Sequence, residues 1–206
     1  MQPSKCVGCQ KFPCDDVQHD YYVVPDIDIK PDDISIIMIS EAAPANAEDY
    51  YYAEGNPLFE QTTVQAFNDA GANVSSIKDL LNIGVYFTTA VKCGKTGYGI
   101  NTDTIKECSF LLEKELDLFP ELKVLMLMGD VAIKAINYIA RRLNEERVVP
   151  AGSIYKLRSQ KYYFQGKRVF PSYLQAGPSF FIEKSKRRMI GEDISEALSL
   201  VKMKKI

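Results

Sequence analysis

"KVLMLMGDVAIKAINYIARRLN", residues 123–144, changes character at Gly129. Before the glycine, "KVLMLMG" (123–129) is a short continuous apolar run, as expected of a strand buried on both faces. After it, "DVAIKAINYIARRLN" (130–144) reads as a helix. A buried strand feeding a helix is the unit from which parallel α/β sheets are built. Working outward, "ISIIMIS" (34–40) and "VYFTTAV" (85–91) read as two more buried strands. Helical patterns separate them: "LFEQTTVQAFNDAG" (58–71), ending on Gly71, and "NTDTIKECSFLLEKELDLF" (101–119), opening with possible caps at Asn101 or Thr102. A last helical stretch, "EDISEALSLVKM" (192–203), closes the order. The alternation predicts an open three-layer α/β/α sandwich with a mainly parallel central sheet. Ligands of such sheets sit at the carboxyl ends of the strands, here near Ser40 to Ala45, Thr88 to Cys93, and Gly129.

The bulk properties set the frame. A chain of 206 residues without repeats or low-complexity linkers fits a single domain, 1–206, with a sizeable core. Apolar content of 46% and charged content of 25% argue against disorder and fibrous architectures. No apolar run approaches the roughly 20 residues of a membrane helix, and the N-terminus lacks an apolar secretory core, so no membrane partner and a cytoplasmic location are expected. Thiols stay reduced there, so five cysteines argue for metal or chemistry over disulfides. The net charge of −2 hides an asymmetry: residues 151–206 carry +8 and residues 1–150 carry −10. A basic C-terminal third can hold phosphates, although a solvated helix face also explains such a run.

Cys6 and Cys9 form a C-x-x-C pair ahead of the first strand, the wrong place for a thioredoxin-like dithiol. Cys93 follows the second strand and Cys108 lies in the helix 101–119. One close pair and two distant thiols supply four soft ligands, which suit tetrahedral zinc or a [4Fe-4S] cube equally. Cys93 and Cys108 also admit a reading as small buried apolar residues, and Cys14 is left over.

Several stretches in one order resemble a known pattern: the C-x-x-C, "SEAAPANAED" (40–49), "EGNPLFEQ" (54–61), "VYFTTAVKC" (85–93), "KECSFLLEKEL" (106–116) and "FPSYL" (170–174). They are similar to the iron-sulfur uracil-DNA glycosylases of family four, from Cys6 to about Leu174. The resemblance implies the uracil-DNA glycosylase fold and a [4Fe-4S] cluster, with zinc as the alternative, held by Cys6, Cys9, Cys93 and Cys108. That cluster would tether an N-terminal arm, 1–32, to the domain. It also implies a DNA partner, with the target base flipped out of a single or double strand, and a monomer.

The departures fall in the pocket. Where the family places a ring that stacks on the base, this chain has Leu58, with Phe59 next to it; the family's base-reading Asn is Thr89; its leaving-group His is Phe170, in a motif that continues through Ser172. A phenyl ring donates no hydrogen bond, and loss of one oxyanion donor costs on the order of 10² to 10³ in rate. Glu41 is the catalytic candidate when Ser40-Glu41-Ala42 is matched to the family's "GEA"; matching Ala43 and Pro44 to "AP" instead puts Ala42 at that position. Ala43 and Pro44 line the pocket in either case. Glu48 and Asp49 read as first-turn helix charges, and His19, the only histidine, as an exposed polar residue. After "FPSYL", Leu174, Phe180 or Phe181 could wedge into a base step. Lys184, Lys186, Arg187 and Arg188 could neutralise phosphates.

Three functions remain open at this point. The first is a DNA N-glycosylase with altered base choice. The second is a non-catalytic iron-sulfur nucleic-acid-binding protein of the same fold. The third is an iron-sulfur redox or structural module.

Overall fold

A computed structural model describes residues 1–201. Six strands form one sheet: β1 (Val17–Gln18), β2 (Ile36–Ala43), β3 (Val85–Lys95), β4 (Val124–Met128), β5 (Tyr162–Phe164) and β6 (Lys167–Ser172), in the spatial order β1-β3-β2-β4-β6-β5. The four central strands are parallel, and β1 and β5 run antiparallel at the edges. Seven α-helices accompany them among the described residues: α1 (Leu58–Asp69), α2 (Ile77–Asn82), α3 (Thr102–Leu116), α4 (Asp130–Arg142), α5 (Ile154–Leu157), α6 (Ser179–Ile182) and α7 (Lys184–Ser199). None is long and apolar enough to cross a membrane among the described residues.

The three apolar runs are β2, β3 and β4, and period-two alternation splits their side chains between two cores. Ile37, Ile39, Tyr86, Leu125 and Leu127 pack with Ile105, Leu112, Ile136 and Ile139 of α3 and α4. Ile36, Met38, Val85, Phe87 and Met126 pack with Phe67, Leu80, Ile190 and Ile194 of α1, α2 and α7. Both faces are covered, so the apolar residues of these runs point to both sides of the sheet, and the hydroxyl residues Ser40, Thr88 and Thr89 are buried with them. Each large side chain so buried stabilises the fold by roughly 1.5–3 kcal/mol.

Two further elements depart from the sequence reading. The hairpin β5–β6 turns on Gln165 and Gly166, both at positive φ (49° and 77°), the two-residue turn that matches strand twist. The closing helix begins at Lys184, eight residues ahead of the stretch read as helical, so the basic run opens α7. The end of that stretch, 202–203, lies outside the described residues.

The N-terminal arm is held by the protein itself. β1 pairs with Lys95 and Gly94, and Val23 N–H donates to Lys92 O at 2.8 Å. Asp16 accepts from Asn101 N–H at 2.6 Å and from the Thr104 hydroxyl, so a carboxylate of the arm caps α3, where Asn101 makes no side-chain cap of its own. An anion there complements the helix dipole.

Candidate active site and thiol group

Strand ends create the first candidate site. β2 carries Ser40 and Glu41 to the carboxyl edge. Beyond Ala42 the register with β3 jumps, Ala42 facing Val91 and Ala43 facing Gly94, so β3 bulges and runs on to Lys95. A cavity of about 410 Å³ opens over these ends, the size of a small-molecule site. Glu41, Ala43, Pro44, Leu58 and Phe59 line it, together with Lys95, Tyr98, Leu174 and Gly177. Leu58 and Phe59, adjacent at the start of α1, both reach the cavity, and Phe59 leans on Tyr51 with ring centroids 5.2 Å apart.

Glu41 is fixed from two sides. Lys95 Nζ stands 3.3 Å from its Oε2. On the other side its carboxylate occupies the space over Gly129, where a Cβ would lie 2.6 Å from Oε1. Gly129 has φ 99°, the left-handed turn from β4 into α4 that glycine adopts without strain. An anion, an ammonium group and an aromatic face thus share one cavity.

Three residues assigned to the pocket from sequence lie away from its lining. Phe170 is core: its ring packs among Met126 and Ile190, with the Arg168 guanidinium 4.0 Å over its face. β6 reaches the strand-end level only at Ser172, which is itself buried and donates to Asp193. Thr89 is fully buried, and its Oγ1 has no hydrogen-bond partner among the described residues. It sits in register with Ser40 on β2, whose hydroxyl bonds that of Tyr51; the buried Gln175 amide donates to Tyr51 Oη at 3.0 Å. A polar floor of Ser40, Tyr51 and Gln175 therefore lies beneath the cavity. Burial drives the Tyr51 hydroxyl pKa upward, so it stays neutral.

Sequence reading missed Lys95, Tyr98 and Gln175. Lys95 carried no signal beyond its place after a strand. Tyr98 stands fully exposed in the glycine-flanked "KTGYGI" loop at the cavity mouth, which is a signal for a ring kept for contact.

The basic run is largely engaged with acids. Arg187 binds Asp69, Lys186 binds Glu183 at 2.5 Å, and Arg188 lies 3.6 Å from Glu192. Lys184, Arg187 and Arg188 border a wide groove of about 790 Å³ between the C-terminal end of α1 and α7. The groove is wide, and Arg187 at its edge is paired with Asp69, which makes it a surface and not a reaction chamber. Of the wedge candidates, Leu174 lines the cavity, Phe180 is buried and Phe181 is exposed.

The thiols form the second group. Cys93 and Cys108 are buried, Cys9 and Cys14 are half-buried and Cys6 is exposed. Burial, then the neighbouring sulfurs, push the Cys93 thiol up to about 12 and the Cys108 thiol up to about 11. His19, half-buried and not exposed as read from sequence, brings Nδ1 to 3.5 Å from Cys93 Sγ. Among the described residues no three His, Cys, Asp or Glu side chains close into a set that could hold a metal ion as placed. Cys6, Cys9 and Cys14 lie on the arm, Cys93 in β3 and Cys108 in α3.

The model of the Uracil DNA glycosylase superfamily matches residues 28–190, a span that holds every cavity residue named above together with Cys93 and Cys108. A comparison with curated proteins returns no match.

Proposed function

The chain belongs to the uracil DNA glycosylase superfamily, and from that premise we propose that it binds DNA and hydrolyses the N-glycosidic bond of a damaged or deaminated base held in the strand-end cavity. The observation that carries this reading is Glu41, held between Lys95 and Gly129 inside a cavity faced by Phe59. A base extruded from the stack enters the cavity and rests against Phe59 and Pro44. Glu41 accepts a proton from water as the water oxygen bonds to the sugar C1′, and its negative charge favours the cationic character developing on the sugar. The glycosidic bond breaks with its electron pair on the base, and the Lys95 ammonium offsets that charge, the part a phenyl ring at position 170 cannot play.

The chain is further read as an iron-sulfur member of the family-four kind. Cys6, Cys9, Cys93 and Cys108 would hold its [4Fe-4S] cluster. When bound, the cluster supplies a rigid joint between arm and domain, remote from the proton transfers above.

The second reading is a DNA-binding protein that does not hydrolyse, and Thr89 and Phe170 lying outside the cavity lining favour it. One assay separates the two. The protein is incubated with single- and double-stranded oligonucleotides carrying uracil, hypoxanthine or xanthine, and abasic sites are counted. Product is expected from at least one substrate, and Glu41→Gln should lower its rate by roughly 10² to 10⁴. DNA binding without product from any of them overturns hydrolysis.

A further inference from the structure

We propose that Tyr98 is a base-stacking residue, whose ring packs against the face of the unpaired nucleobase next to the one that enters the strand-end cavity. The inference rests on the DNA reading above and adds to it the residue that grips the strand at the cavity mouth. Tyr98 lines the cavity, yet its side chain is 105% exposed. Among the described residues it makes no hydrogen bond or ring contact, and no other exposed large apolar side chain lines the cavity. One isolated aromatic face falls short of the several hundred Å² of an apolar docking patch for a protein. It matches a single base, which offers a flat π face of its own.

The ring is free, but the loop that carries it is fastened at both ends. β3 runs on past its bulge to Lys95, where β1 pairs with it, Val17 facing Lys95 and Gln18 facing Gly94. Thr96 Oγ1 donates to Asp16 O at 2.8 Å, and Asn101 N–H donates to the Asp16 carboxylate at 2.6 Å, so one residue of the arm clasps both ends of the segment 97–100. A Cβ at Gly97 or Gly99 would meet nothing within 4 Å, so the space beside Tyr98 is open to a ligand. The sheet order sets where the segment stands. β3 lies on one side of β2, and β6 lies beyond β4 on the other, so the loops that follow β3 and β6 flank the end of β2. The cavity therefore has Tyr98 on one rim and Leu174 and Gly177 on the other, with Glu41 of β2 between the two loops. A base resting inside against Phe59 and Pro44 leaves its neighbour in the strand at the rim. Stacking tolerates any base, so Tyr98 supplies grip and not base choice.

The test titrates two probes into wild-type protein and Tyr98 variants: a single-stranded DNA oligonucleotide of natural bases, and a deoxyribose-phosphate oligomer of the same length without bases. Tyr98→Ala should weaken binding of the base-bearing strand by about 5- to 150-fold. The slope of log affinity against log salt concentration should not change, because no phosphate contact is lost. Tyr98→Phe should bind as wild type does, and Tyr98→Leu as the alanine variant does, since leucine keeps apolar bulk without a π face. Thermal melts of all three should match wild type, as an exposed ring gives up no packing. The chain has no tryptophan, so Tyr98→Trp supplies a single indole. Its emission should be quenched by the base-bearing strand and not by the oligomer without bases. Wild-type affinity in Tyr98→Ala, a changed salt slope, or indole emission that does not distinguish the two probes overturns the assignment while the DNA reading stands. Full binding by Tyr98→Leu does the same, because it marks an apolar wedge and not a stacking face. Wild-type protein that binds neither probe overturns both.

Discussion

Gly129 joins the turn into α4 to the carboxylate of Glu41, and both demands point to the same single residue. A side chain there meets a φ of 99° and a carboxylate oxygen 2.6 Å from its Cβ. Gly129→Ala should therefore destabilise the protein by about 1–3 kcal/mol through backbone strain and displace Glu41 from Lys95. Thermal melts should show the first effect. Abasic-site formation should fall further than the loss of folded protein accounts for, and a fall that merely tracks stability would separate Glu41 placement from chemistry. At this scale the sequence was half legible. Glu41, Leu58 and Phe59 stood out and do converge on one cavity, because a strand end and a helix start are placed by local patterning. Motif resemblance points to Phe170 and Thr89, but Phe170 packs in the core and Thr89 is fully buried. Sequence order says where a residue lies along a strand but not how far that strand extends relative to its neighbours.

The strands themselves were the easiest elements to read, since uninterrupted apolar runs such as Val124–Met128 have no other economical use. β5 and β6 escaped because an edge hairpin of mixed residues leaves only a two-residue turn as its signal. Lys92 was hidden for the opposite reason: a lysine near a strand end reads as solvated, yet its side chain is fully buried. It is paired with Glu115 of α3 and bonded to Thr88 Oγ1 at 2.6 Å and Thr89 O at 2.7 Å. Glu115 also accepts from Tyr86 Oη at 2.6 Å and from Thr88. The network pins α3 to β3 at the level where Cys108 and Cys93 lie. Lys92→Met leaves Glu115 as an unpaired buried anion and should cost about 3–5 kcal/mol in denaturant unfolding. The double variant Lys92→Met, Glu115→Leu should recover most of that loss, because a packed apolar pair replaces an ion pair nearly evenly. If the single and double variants lose the same stability, the charge is not what the network contributes.

Across the whole molecule, charge is segregated along the sequence, −10 before residue 151 and +8 after it, but folding redistributes it. α7 brings Arg187 onto Asp69 of α1, so part of the basic surplus is neutralised by the acidic segment and is unavailable to phosphates. Asp69 has its pKa lowered, mainly by the Arg187 hydrogen bond. The pair therefore stabilises at neutral pH, and its contribution fades as the pH falls through the depressed carboxylate value. Lys184 has no ion pair among the described residues, and Arg188 is 78% exposed with its carboxylate partner at 3.6 Å, so these two cations retain the most free charge at the start of α7. The short helix α6 separates them in sequence from the cavity lip formed by Leu174, Ala176, Gly177 and Pro178. DNA threaded over that lip should meet them. Each phosphate contact contributes about 0.9 to the slope of log affinity against log salt concentration on duplex DNA. Lys184→Ala combined with Arg188→Ala should then reduce the measured slope by about 2. It should weaken binding to all sequences alike and leave the base preference of any cleavage untouched. An unchanged slope would mean that the duplex lies across another face, and that the basic third of the chain serves folding contacts such as Arg158 with Asp193 at 2.7 Å.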